Sequence, residues 1–412
     1  MLRLFCIYGL RSLPEPFERA EQVIPGGIYG HVSPAAVLPG RSPYFAARGE
    51  GPYYWDADGN RYIDFVCGYG PMVLGYHHPG VEAAAAEQRS QGAVFNHPTE
   101  TSIQLAEKLV SLIDFADWAV FARNGSDVTT WATMVAREHT QKRKIIKVGD
   151  AYHGVDPWCT PGTGGLIEED RSQIVNIRWN DLESVQKAFA ENQNDIAAVI
   201  LTPYHHPVFA HQVFGESAFF QGIRTLCDAE NALLILDDIR AGFRTSINGS
   251  HSVFGIQPDM ACYCKALANG YPISAAVGTS ALKEAASRVF LTGSYWNDAV
   301  AHAACLACLQ ILEKAGVPEH LDRIGTLWTG ELSRLASDCG ISLKTSGPMA
   351  APYVSVDDDP NLTHTQSLFG ELINAGLFMH PHHNGFMSFA HTDSVIDEAL
   401  EIASAVFKNY TP

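Results

Sequence analysis

At 412 residues, with 46% hydrophobic and 18% charged residues, the chain has an ordinary globular balance and room for one big domain plus a smaller one. Its formal net charge of −17 argues against non-specific binding to nucleic acid or to an anionic membrane surface, since either needs a basic face. No apolar run reaches the length that spans a bilayer.

The opening Met1-Leu-Arg-Leu-Phe-Cys-Ile-Tyr-Gly-Leu-Arg-Ser12 lacks a signal-peptide core and a small-residue cleavage site, so it is expected to be an N-terminal arm. Residues 14–50 are rich in Pro and Gly and read as irregular. Tyr53-Tyr-Trp-Asp-Ala-Asp-Gly-Asn-Arg-Tyr-Ile-Asp64 reads as a hairpin, its Asp-Gly-Asn turn lying between two aromatic-rich runs. From about 80 to 300, helical patterns (81–91, 102–112, 128–139, 182–190, 217–231) alternate with apolar strand patterns (118–122, 144–148, 174–177, 197–201, 233–236, 260–264). Buried strands separated by helices predict a mostly parallel sheet covered on both faces. An Ala-rich helix is expected over 299–313; it contains Cys305 and Cys308, whose redox-motif spacing is read as core packing. The nine cysteines, scattered through apolar segments, are expected to be reduced thiols of a cytoplasmic protein. A final helix over 394–408 closes the chain. The expected domains are an N-terminal arm with part of a small domain (1–75), a large ligand-binding domain (76–300) and a C-terminal small domain (301–412).

The chemistry-bearing residues all follow apolar strands, and in open α/β sheets ligands bind beyond the carboxyl ends of the strands. Ala232-Leu-Leu-Ile-Leu-Asp-Asp-Ile-Arg-Ala-Gly-Phe-Arg244 is a buried run that ends in an acidic pair. Pro258-Asp-Met-Ala-Cys-Tyr-Cys-Lys-Ala-Leu-Ala-Asn-Gly270 delivers one lysine, Lys265, into a glycine-bearing loop. A lysine and a carboxylate on neighbouring strand ends are what pyridoxal 5'-phosphate (PLP) needs. The lysine forms a Schiff base with its aldehyde, and the carboxylate keeps its pyridine nitrogen protonated. Strand alternation puts Asp237 and Ile239 on one side, and Asp238 with Arg240 on the other as a structural pair. Arg123-Asn-Gly-Ser-Asp127 offers Gly125, Ser126 and a helix N-terminus to a phosphate. Ala151-Tyr-His-Gly154 offers the Tyr152 ring to a pyridine face.

Taken together, these motifs resemble the class III aminotransferases among the fold-type I PLP enzymes, and within them the glutamate-1-semialdehyde aminomutase-like branch. Ile24-Pro-Gly-Gly27, Asp56-Ala-Asp-Gly-Asn-Arg-Tyr-Ile-Asp-Phe65, Gly70-Pro-Met-Val-Leu-Gly75, His78-Pro79, Tyr152-His-Gly154, Asp237–Arg244 and Lys265 carry the likeness over nearly the whole chain. The resemblance implies a large domain with a mostly parallel seven-stranded sheet and a smaller α+β domain. It assigns catalysis to Lys265, Asp237 and Tyr152. It assigns PLP binding to Gly125, Ser126, Tyr152, Asp237, Ile239, Lys265 and, across a homodimer interface with shared active sites, Ser294. The implied reaction moves an amino group from an amino donor to a carbonyl acceptor. An aminomutase or an epimerase on the same scaffold, and a cofactor-less binding relative, are the competing expectations.

Departures from the family fall where substrate would bind. Thr202-Pro203 stands where the family often has Glu-Pro, and Ile28-Tyr-Gly-His-Val-Ser33 lacks the arginine that follows Pro-Gly-Gly in the aminomutases. Tyr69 replaces their pocket tryptophan, and His380-Pro-His-His-Asn-Gly-Phe386 is shorter than the family's segment there. The expected substrate residues are therefore Tyr29, His31, Tyr69, Trp158, His205 and His383. Their aromatic character favours a cyclic or aromatic carbonyl, as in secondary metabolism. The paired histidines (His77-His78, His205-His206, His382-His383) lack the helical spacing of a zinc site, and no metal is expected.

Overall fold

The computed structural model describes residues 15–28, 38 and 41–410. The strands, in chain order, begin with β1 (Ala46–Glu50), β2 (Tyr53–Asp56), β3 (Arg61–Asp64), β4 (Trp118–Ala122), β5 (Lys144–Val148), β6 (Ile174–Ile177) and β7 (Ile196–Leu201). There follow β8 (Tyr204–His205), β9 (Val213–Phe214), β10 (Leu233–Asp237), β11 (Met260–Tyr263), β12 (Ser274–Gly278), β13 (Leu343–Ser346), β14 (Tyr353–Val356) and β15 (Leu377–Phe378).

The main sheet has seven strands in the order β4-β12-β11-β10-β7-β5-β6. All neighbours are parallel except around β12, which runs antiparallel to both β11 and β4. Alternate residues of each strand enter different cores. Leu234 and Leu236 of β10 join one apolar cluster, while Leu233 and Ile235 join the other with Val128, Trp131, Ala132 and Val135 of the Gly125–Thr140 helix. Asp237 continues the Leu233–Ile235 face, towards that helix. The sheet is thus covered on both sides, as a parallel sheet must be.

A second sheet, β1-β2-β3-β15, joins the two ends of the chain: β2 and β3 form the antiparallel hairpin, and β15 pairs in parallel with β3. The 22-residue helix Val317–Asp338 locks this sheet down by stacking Trp328 on Phe65, ring centroids 4.3 Å apart and 13° from coplanar. The eight described cysteines are free thiols, and Cys305 and Cys308 are buried in the Ala299–Lys314 helix.

Gly325 lies where that long helix crosses the 349–350 segment. A Cβ there would sit 1.8 Å from the Met349 carbonyl oxygen. Alanine is ordinarily worth about 1 kcal/mol over glycine in a helix. Here the backbone clash wins, and Gly325→Ala is expected to destabilise the protein by about 2–3 kcal/mol. The urea unfolding midpoint measures it; a rise in midpoint would contradict the close approach.

Candidate active site

The register of β10 and β11 builds the centre of the site. These strands pair in parallel with Asp237 opposite Cys262, so Asp237 and Lys265 leave the sheet at the same edge. The first turn of the Gly125–Thr140 helix follows β4, and Tyr152 and His153 follow β5, at that same carboxyl edge.

Asp237 is buried, and its Oδ2 accepts a 2.7 Å hydrogen bond from His153 Nδ1. Its Oδ1 accepts from the Ile239 N–H at 3.2 Å. His153 is itself buried, with its second ring nitrogen unpartnered among the described residues. Its carbonyl accepts from the Thr129 hydroxyl at 2.7 Å, which ties the loop to the helix. Asp238 faces the opposite core, where its carboxylate takes the N–H and the hydroxyl of Ser250. Burial pushes that carboxyl up to about 7.

The Lys265 ammonium donates to the Tyr69 carbonyl at 2.9 Å and lies 5.7 Å from the centre of the Phe386 ring. Burial, then the Arg240 charge, lowers its pKa to about 7; the Cys264 thiol and Asp237 oppose the shift, and Arg244 adds to it. The Tyr69 carbonyl is aimed by a turn in which Cys67, Gly68, Tyr69 and Gly70 all have positive φ (51°, 62°, 64° and 108°). Such backbone costs of order 1–3 kcal/mol at each non-glycine residue and persists only when its surroundings enforce it. Two anchors do so here. The buried Asp64 carboxylate accepts the N–H groups of Val66 and Cys67, and fully buried Arg244 donates to the carbonyls of Gly70 and Met387.

At the other end of the site, Asp127 Oδ2 accepts the Arg123 and Asn124 N–H groups and caps the Gly125–Thr140 helix. Ser126 Oγ accepts from the Val155 N–H at 3.1 Å. Space here is closely fitted: a Cβ on Gly125 would meet Ile239 Cδ1 at 2.6 Å, and one on Gly154 would meet Ser126 Oγ at 2.6 Å. The residues fit PLP. An amine of depressed basicity, a carboxylate backed by a histidine, and a glycine-lined helix N-terminus match its aldehyde, ring nitrogen and phosphate in turn.

The remaining expected residues fall in different places. Tyr152 is half-buried near Asp237, and its phenol pKa is raised by burial. Tyr69 meets His383 edge-on, ring centroids 5.2 Å apart, so both belong to the cleft around Lys265. Trp158 lies parallel to the His153 ring at 6.3 Å and donates its indole N–H to Thr130. Ser294 is exposed. Tyr29 and His31 lie outside the described residues.

Two readings need correction. His205 is turned away from the recess beside Lys265: it stacks on Trp179 and bonds Asp150. Its neighbour His206 lines that recess instead. The alternation that separates paired histidines on a strand puts the two rings in different surroundings. Arg240 does not pair with Asp238. It bends into the same recess and bonds Asn384 Oδ1. The sequence reading also gave no role to His153 or Arg244. A histidine directly after the stacking aromatic was the available signal for the first.

With this geometry in hand, the similarity to known proteins is direct. The family model "Aminotransferase class-III" matches residues 36–410, and the chain belongs to that family. It is 41% identical to the aminopentol aminotransferase of Sphingopyxis macrogoltabida, over 95% of this chain and 92% of that one. The solved structure of the FumI protein of Sphingopyxis sp. MTA144, in its PLP internal aldimine form, superposes with a TM-score of 0.93 at 40% identity, covering 95% of each chain. A glutamate-1-semialdehyde 2,1-aminomutase of Acetivibrio thermocellus is 32% identical over 96% of this chain and 97% of its own. The protein is a PLP-dependent aminotransferase of fold type I.

The lowered basicity of Lys265 has a pH signature. A nucleophilic amine must be unprotonated, so the rate at which the apo-protein captures PLP is expected to climb about tenfold per pH unit below about 7 and to level above it. Borohydride trapping followed by peptide mapping measures this rate. A rate still climbing at pH 9 would mean that the amine is not held in this environment.

Proposed function

We propose that Lys265 is the residue that bonds the PLP aldehyde, and that this aminotransferase moves an amino group between an amine or amino alcohol and a carbonyl acid. The observation that carries the reading is the half-buried Lys265 amine at the same sheet edge as the Asp237–His153 pair. The 41% identical aminopentol aminotransferase supports an amino alcohol as one substrate. The partly open Tyr69 ring keeps a cyclic or aromatic carbonyl among the candidates.

Bound PLP supplies an electron sink for the pair left on carbon when a proton departs. The protein's own residues do the rest. Lys265 Nζ takes the proton from the substrate carbon and returns it to the carbon on the far side of the amine nitrogen, a transfer suited to an amine that titrates near neutrality. Asp237, kept in place by His153, holds a proton at the ring nitrogen. Gly125 and Ser126 hold the phosphate, and Tyr152 and Ile239 flank the ring. Ser294 of the partner subunit completes the phosphate site in a homodimer. A cytoplasmic location accords with the free thiols.

An aminomutase is the second reading, favoured by the 32% identical relative. The decisive assay follows the 400–430 nm absorbance of the holoenzyme with a panel of amines, with and without a keto acid. An aminotransferase is expected to bleach with amine alone and recover on adding the acceptor, and Lys265→Ala to do neither. Complete turnover of one substrate with no acceptor would favour the aminomutase.

Sharing of Ser294 has its own test. Inactive Lys265→Ala and Ser294→Ala/Tyr295→Ala proteins, dissociated and reassociated together, are expected to regain up to about half of one dimer's activity, because one site collects both lesions and the other is intact. No recovery, with heterodimers shown by mass spectrometry, would place both defects in one subunit's site.

A further inference from the structure

The recess beside Lys265 contains a cation, Arg240, whose charge helps to lower the basicity of Lys265 but whose N–H groups are largely uncommitted. Arg240 spends one N–H on Asn384 Oδ1, and no carboxylate lies within ion-pair distance of it among the described residues. Arg240 is only half-buried, so its guanidinium stays accessible to an incoming anion. The nearby carboxylate, Asp237, is already taken by His153 and the Ile239 N–H. By contrast Arg224, also half-buried, has both Asp228 and Asp259. Arg244, the fully buried arginine at the cleft, is spent on two backbone carbonyls that shape a turn.

The neighbours of Arg240 share its lack of negative charge. His206, His383, Gln212, Tyr353 and Asn384 line the recess with it. Burial, then the Arg240 charge itself, holds both imidazoles well below their usual pKa, so they are neutral hydrogen-bonding groups and do not compete as cations. The recess is also joined to the reacting amine. Asn384, which holds Arg240, follows His383; the His383 ring abuts Tyr69; and the Tyr69 carbonyl receives Lys265. A planar guanidinium with unspent N–H groups is matched to a carboxylate in a two-point contact.

We infer that Arg240, steadied by Asn384 and flanked by His206 and His383, is the subsite for the carboxylate of a small α-amino acid and its α-keto acid, the partner substrates in one half of the reaction. This rests on the aminotransferase reading of Lys265. It also accounts for the missing arginine after Pro25-Gly-Gly27: the charge is supplied from the β10 loop instead. The second, carboxylate-free substrate does not need Arg240, so the two half-reactions separate the role.

The test compares L-alanine with isopropylamine, which carries a methyl group where alanine has its carboxylate, in wild-type holoenzyme, Arg240→Met and Arg240→Lys. Bleaching of the cofactor band gives kcat and KM for each amine, and propionate is tested as an inhibitor of the isopropylamine reaction. In Arg240→Met, kcat/KM for L-alanine is expected to fall about 100-fold, mainly through KM, the size of a lost charged hydrogen bond. Isopropylamine feels only the change in Lys265 basicity, which both amines share at a given pH, so the alanine-to-isopropylamine ratio of kcat/KM should still fall by at least about 10-fold, and inhibition by propionate should vanish. Arg240→Lys should recover part of both losses. Equal loss for the two amines in both variants would make Arg240 a structural residue and overturn the subsite. So would unchanged L-alanine kinetics, or a wild type that propionate does not inhibit. If wild-type holoenzyme bleaches with neither amine, the failure precedes any substitution and belongs to the reading of Lys265.

Discussion

Everything in the cleft is arranged around an amine that must give up its proton inside a protein. Lys265 lies half-buried near two guanidiniums, and the Asp237 carboxylate, which would restore its charge, is bound to His153. A free Asp237 would pull the lysine back towards the ammonium form; a lysine without Arg240 nearby would lose the strongest charge that opposes it. The resting contact to the Tyr69 carbonyl holds the amine without adding a counter-charge. Sheet register makes this balance possible, since pairing Asp237 with Cys262 fixes how far apart the acid and the amine emerge.

Much of the fold was legible because its strands are uninterrupted apolar runs and its helices carry the 3.6-residue stripe. β4, β5 and β6 fall where the sequence pattern puts them. β12 was not foreseen. Ser274-Ala-Ala-Val-Gly278 is all small residues with one β-branched valine, so it lacks a bulky strand signature. Small size is what its place demands: a Cβ on Gly278 would meet Trp118 Cζ2 at 2.4 Å.

The site was legible to the same depth. Lys265 and Asp237 are visible because a charge that ends a buried run is unusual. Arg240 lies three residues past the end of β10 and His206 just past the two-residue β8, where the two-residue alternation no longer governs direction. There the backbone after the strand decides: Asp238 finds Ser250 on one side, and Arg240 swings to Asn384 on the other. Thr202, standing where the family often has glutamate, donates its hydroxyl to the Tyr204 carbonyl and helps start the short β8–β9 ribbon from which His206 departs. Among the departures from the family, the segment after Thr202-Pro203 supplies His206 and the 380–386 segment supplies His383 and Asn384 to the same recess.

The left-handed run from Cys67 to Gly70 joins distant parts of the chain. Its carbonyls face Lys265 and Arg244 from the large sheet, while Asp64 anchors it from β3, whose other neighbour is β15 from near the C-terminus. The reactive amine is therefore aimed only after both ends of the polypeptide have come home. A nascent chain that still lacks its last forty residues would possess Lys265 but no β15 and no Phe386 beneath it. The contacts that place the Lys265 amine are thus drawn from segments far apart in the sequence, and no local stretch of chain can supply them alone.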